Sequence, residues 1–423
     1  MKLRRSIFLF LIVLFLTSLA CNLPISAQPT PTMTLPPPTS PPPPNTPTSE
    51  PTFPPLPSPS ESPTATPISS NLYLPVGVAT NPTGGNRVTF FNLQGQLLGE
   101  LQAPDFGTGT SQQVFIAGPI TLSPGLQLPP LVYYTFQNSG ELRLNSNNNV
   151  TTLVAAPNFN TIIGIPGHDL MIYTNFEYQD NALRTIMYMG TLQSLPTAQP
   201  ILNNSNTESW AIKPIAISVN QDQPVGVWYT TIPIGIGGDI VFEPRKTLNY
   251  LDLTRNQILT YLDMTNGPAG LSGDQTWLAY TPVGSGPMSI VHNFDFSNAV
   301  TFPLLADSDR GSGDAVFSPD NQYVAWKEGS GTVMGETPTF HATIRIATTA
   351  GNLLTELTDS SLLSTTGFQS IGWVVPVGWL DGQTLVLEVR DVNWDNACVL
   401  RVNYDGSGLA FLAQGSFIGF VYP

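Results

Sequence analysis

Residues Val316–Glu328 read VFSPDNQYVAWKE. Pro319 fixes its own φ, while Asp320 and Asn321 tolerate turn geometry, so Ser318–Asn321 forms a tight turn. The run that follows, Tyr323–Trp326, is short and apolar, as a strand covered on both faces must be. Weaker copies of this turn-and-strand unit recur at Leu271–Tyr280 (LSGDQTWLAY), Ile217–Tyr229 (ISVNQDQPVGVWY) and Gly378–Glu388 (GWLDGQTLVLE).

A second unit of strand, turn and strand accompanies these copies. It reads RVTFFNLQGQLLGELQ at Arg87–Gln102, TLNYLDLTRNQILTYLD at Thr247–Asp263, TIRIATTAGNLLTELTD at Thr343–Asp359 and VLRVNYDGSGLAFLA at Val399–Ala413. Gln94-Gly95, Ala350-Gly351 and Asp405-Gly406 supply the hairpin turns. Two units together make one four-stranded sheet, at about 40–50 residues per repeat. The segment Val316–Glu328 resembles the WD40-like repeat of TolB-type β-propellers, whose signature is F-S-P-D-G-x-x-hydrophobic-A-aromatic. Asn321 stands where that family has Gly, and a turn at positive φ accepts either.

The resemblance implies an all-β fold, a β-propeller of about seven four-stranded blades. The expected segments are Asn71–Ala103, Ser111–Pro157, Asn158–Leu202, Trp210–Asp263, Ala269–Leu305, Gly311–Asp359 and Thr365–Pro423. The first three are weakly patterned, which leaves six or eight blades as alternatives to seven. A pair of β-sandwiches would explain the strand density equally well, but not the recurring Ser-x-Asp turn before an Ala-aromatic strand. Val421–Pro423 or Leu72–Leu74 is expected to close the ring, because pairing the termini removes open sheet edges.

Composition agrees. The chain has 423 residues, only 10% of them charged, with 41 Pro and 36 Gly. That balance excludes a coiled coil or a helical bundle. Proline is uneven: 18 of the 41 fall within Asn22–Ser70, a stretch without a single Gly. Such a tract cannot bury enough apolar area to offset its ordering cost. It is expected to be a stiff, extended, disordered linker over residues 21–70, spanning on the order of 150 Å at about 3.1 Å per residue. The propeller is then expected over 71–423.

The first twenty residues have the order of an export signal, with basic Met1–Arg5 followed by apolar Ser6–Ala20. Fifteen apolar residues fall short of the roughly 20 a spanning helix needs. The junction Thr17-Ser18-Leu19-Ala20-Cys21 resembles the lipobox of bacterial lipoproteins, departing from it in carrying Ser18 where Leu is usual. The resemblance implies cleavage before Cys21 and a diacylglycerol on its thiol. The expected location is therefore the outer face of the cell membrane or envelope, with the lipid as membrane partner. An ordinary signal peptide cut after Ala20 or near Ala27 is the alternative.

Without residues 1–20, 12 basic and 29 acidic residues remain, a net charge of −17. A chain this acidic is not built to hold nucleic acid. A search for chemistry yields no catalytic, cofactor-binding or metal-ligating residue. No Ser has Gly at both −2 and +2, as a nucleophile elbow requires. No H-E-x-x-H occurs, and His168, His292 and His341 are scattered. None of the four Lys follows Gly, so there is no phosphate-binding loop. Asp307, Asp309 and Asp314 place oxygens among glycines as a hard cation likes, yet they read better as solvated loop acids. Cys398 reads as a small buried hydrophobe. Trp373, Trp379 and Trp394 read as blade packing rather than as a sugar platform. The function expected is a non-catalytic surface module holding a protein, peptide or glycan. The alternative is a carbohydrate-active hydrolase or lyase with its site at the central channel.

Overall fold

A computed structural model describes residues 74–422, apart from 83–84, 105, 107–113, 117–127, 136–139, 157, 166–167, 235–240, 284 and 333–338. The expected signal at 1–20, the linker at 21–70 and Cys21 lie outside the described residues. Within them are seven antiparallel sheets of four strands each. Six or eight blades are thereby excluded. Among the described residues the one α-helix is Asp359–Thr366, between the last two blades.

Each blade runs from an inner strand outward. In blades 2 to 7 the inner strands are Val114–Ile116, Phe159–Gly164, Trp210–Asn220, Asn266–Leu271, Gly311–Phe317 and Ile371–Trp379. The inner strand of blade 1 is the last of the chain, Ser416–Val421, paired antiparallel with Gly77–Asn81. Gly77 lies opposite Val421 and Asn81 opposite Ser416, and Val76 N donates to Val421 O at 2.7 Å. The termini do close the ring. The closing strand is longer than the expected Val421–Pro423, however, so the last expected segment is shared between blades 7 and 1. The reason is geometric: the first three strands of the chain lack an inner neighbour, and only a full-length strand satisfies that edge.

The turn read at Ser318–Asn321 joins the inner strand of blade 6 to its second strand, Tyr323–Ser330. The hairpin glycines also do what the sequence asked of them, with φ of 78° at Gly95, 97° at Gly351 and 81° at Gly406. Apolar side chains meet between neighbouring sheets. Met288, Ile290 and Phe302 of blade 5 pack with Phe317, Val324 and Trp326 of blade 6. Val78 of blade 1 packs with Val386 and Val399 of blade 7. Every blade face therefore looks onto another blade, and this is why the second strand of blade 6 is apolar on both sides. Trp326 is fully buried, with its ring centroid 4.7 Å from that of Phe302. Cys398 is likewise buried, in the core between blades 6 and 7.

Candidate functional site

The inner strands have two ends, and the two ends differ. At the end where each inner strand turns into its second strand lies a cavity of about 680 Å³. Blades 1, 3, 4, 5, 6 and 7 all contribute to its wall. Ile165, Ile217, Phe317, Trp379, Phe420 and Tyr422 supply apolar and aromatic surface, and the turns of blades 5 and 6 supply the polar rim. Burial pushes the Tyr422 phenol up to about 12.

The two turns are built alike. In blade 6 the Ser318 hydroxyl donates to Asp320 Oδ1 at 2.6 Å and accepts from Tyr323 N at 2.9 Å. Gln322 N donates to the same carboxylate oxygen at 3.2 Å. In blade 5 Ser272 donates to Asp274 Oδ1 at 2.6 Å and accepts from Trp277 N at 2.9 Å. The residue after each Asp sits at positive φ, 56° at Asn321 and 63° at Gln275. Its side chain reaches back to the previous blade. Asn321 Nδ2 donates to Asp274 Oδ2 at 2.7 Å. Gln275 Oε1 accepts from Trp228 Nε1 at 2.9 Å, and its Nε2 donates to Ile217 O at 2.9 Å. The Ser-x-Asp signature thus shapes the turn and staples the ring at once.

At the opposite end a segment from blade 4, Val241–Arg245, lies across the starts of the inner strands of blades 5 and 6. It fits flush because glycines lie beneath it. A Cβ on Gly267 would come within 2.0 Å of Arg245 O, and one on Gly313 within 2.5 Å of the Phe242 ring. Charges hold the strap down. Lys213 Nζ pairs with Glu243 at 2.7 Å and Arg245 Nε pairs with it at 2.9 Å. Burial pushes the Glu243 carboxyl up, but Arg245 and Lys213 outweigh it and hold the group at about 2. Lys327, fully buried, donates to Val241 O at 3.2 Å, pairs with Asp314 at 2.8 Å and sits 3.5 Å from the Trp373 ring centroid. Burial pulls its ammonium below the ordinary lysine value, and Asp314 works the other way.

The residues singled out in the sequence are scattered by this arrangement. Asp309 accepts from Gly331 N at 2.9 Å, whereas Asp314 belongs to Lys327, so the Asp307–Asp314 stretch does not converge. Among the described residues no three His, Cys, Asp or Glu side chains come together in a way that could hold a metal ion. Trp379 lines the cavity and donates from Nε1 to Val316 O at 3.2 Å. Trp373 and Trp394 stand at the strap end, their ring centroids 5.7 Å apart, so the three do not share a platform. His168 lies in the loop between the first two strands of blade 3. Burial lifts the Cys398 thiol to about 12.

The sequence reading missed the strap. Its one signal was Glu243-Pro244-Arg245-Lys246, a dense run of charge in a chain with few charges.

These features define a seven-bladed β-propeller with a cavity at the end opposite the strap. No protein-family model matches the chain, and no curated protein matches it. Solved structures do. An oligogalacturonate lyase in complex with manganese is 13% identical, with a TM-score of 0.45 over 80% of this chain and 84% of the other. A TolB-type protein from Agrobacterium tumefaciens is 13% identical, with a TM-score of 0.35 over 67% and 89%. Prolyl oligopeptidase B from Galerina marginata is 10% identical, with a TM-score of 0.46 over 82% of this chain and 52% of its own. At these identities the likeness is one of fold and of nothing chemical.

Proposed function

We propose that the chain is an exported lipoprotein, held through Cys21 on the outer face of the membrane or envelope. Its Pro-rich tract 21–70 presents the propeller as a non-catalytic module for a protein, peptide or glycan. One observation carries the binding half of this proposal. The central cavity is walled by six blades, and of the two carboxylates at its rim among the described residues Asp274 has both oxygens engaged within the ring, which leaves Asp320 without a second open carboxylate beside it. Glycoside cleavage needs two carboxylates free to meet the substrate. Asp274 has Ser272 and Thr276 on Oδ1 and Asn321 on Oδ2.

The competing proposal is a carbohydrate-active hydrolase or lyase. What favours it is that Asp274 and Asp320 come from different blades to one cavity. Capture from surface extracts by the full chain, beside a glycan array and a polysaccharide panel, separates the two. A retained, unmodified partner supports the module, and sugar release supports the enzyme. For the anchor, labelled palmitate should enter the wild type and not Cys21→Ser.

A further inference from the structure

The cavity's remaining hydrogen-bonding capacity is almost all of one kind. Its side-chain donors are largely used up: Ser272 on Asp274, Asn321 Nδ2 on Asp274, Gln275 Nε2 on Ile217 O and Trp379 Nε1 on Val316 O. Among the described lining residues the Tyr422 hydroxyl is the one remaining. Acceptor capacity is left over. Asp320 is exposed on the rim, and the two hydrogen bonds that shape its turn both fall on Oδ1.

No Lys, Arg or His lines the cavity among the described residues. An anionic ligand such as a uronate or a phosphate would therefore meet carboxylate and no cation. A cation would meet the Asp320 carboxylate and the aromatic walls of Trp379, Phe420 and Tyr422, whose ring faces attract positive charge.

We infer that the central cavity receives a cationic, donor-rich group, the guanidinium or ammonium of a basic peptide segment. The inference rests on the binding-module proposal and narrows its partner class to one of the three named there. Asp320 Oδ2 would accept charge-assisted hydrogen bonds from the entering group.

Gly273 offers a clean variant. It lies on the cavity rim, its φ is not in the left-handed region, and a Cβ there would meet nothing within 4 Å. Gly273→Arg therefore places a guanidinium at the mouth without disturbing the Ser272–Asp274 turn. The probe is the blocked peptide Gly-Gly-Arg-Gly-Gly, titrated calorimetrically into the full chain beside the same peptide with citrulline, a neutral isostere, in place of arginine. The wild type should prefer arginine by about tenfold or more, with the preference shrinking as salt is raised. Gly273→Arg should lose arginine binding by about tenfold, while Asp405→Asn, in an exposed hairpin turn outside the cavity, should leave it unchanged. Equal affinity for the two peptides, binding of neither, or indifference to Gly273→Arg would each overturn the inference. Retention of a neutral oligosaccharide with no arginine preference overturns the inference alone and leaves the binding module standing. Sugar release overturns both.

Discussion

Asn321 Nδ2 donates to Asp274 Oδ2 at 2.7 Å, tying the inner turn of blade 6 to the inner turn of blade 5. Asn321 can do this because it holds φ at 56°, which swings its side chain toward the neighbouring blade. Two effects are therefore joined in one residue: tolerance of the left-handed region and a hydrogen bond to a carboxylate. Asn321→Gly keeps the first and loses the second, at a cost of about 1.5–3 kcal/mol. Asn321→Ala loses both, adding about 1–2 kcal/mol. Urea unfolding of both variants should rank them wild type, Gly, Ala. An Ala variant as stable as the Gly variant would contradict the strained turn.

Asp320 works within its own turn, accepting from the Ser318 hydroxyl and Gln322 N. Asp320→Ala should cost about 1–2 kcal/mol in the same measurement. A change within about 0.5 kcal/mol is what an ordinary surface acid gives, and would show that the turn does not depend on it.

These turns explain which parts of the molecule are legible in the sequence. Their polar signature is local, set by residues two to five apart, so Ser318–Asp320 and Ser272–Asp274 announce the blades that carry them. The strap is not local. Glu243 meets Lys213 thirty residues away, and Lys327 reaches Val241 across 86 residues. No pattern along the chain encodes those pairings. The cavity has the same character, since six blades give it between two and five residues each. Ring closure was legible as a need and not as a strand: Ser416–Val421 carries no alternation that marks it as an inner strand, and its partner Gly77–Asn81 is more than 300 residues earlier.

Glu243 gives the strap a pH dependence. Its carboxyl titrates at about 2 in the folded protein against 4.5 ordinarily. Between those values the unfolded chain binds the proton and the folded chain does not. The stability it contributes is thus fully present above pH 4.5 and falls away as pH drops toward 2. Glu243→Gln should be less stable than wild type at neutral pH, leaving Lys213 short of its partner, and the gap should close on acidification. Unfolding midpoints followed through that window test this, and parallel curves would contradict it.

Cys398 is buried, with its thiol raised to about 12, so almost none of it is thiolate near neutral pH. In Cys21→Ser, which leaves Cys398 as the only thiol, an aromatic disulfide reagent should react stoichiometrically in denaturant and negligibly in the native protein. Rapid native reaction would place Cys398 outside the core.

The central claim is that the cavity opposite the strap binds and does not turn over. Gly273→Trp covers its mouth from a position with free space and no conformational demand. The most direct measurement sets wild type and Gly273→Trp side by side, scoring both partner capture from surface extracts and sugar release from a polysaccharide panel. The account predicts that the wild type retains a partner intact, that Gly273→Trp loses it, and that neither chain releases sugar. Sugar release by the wild type that disappears in Gly273→Trp would contradict it.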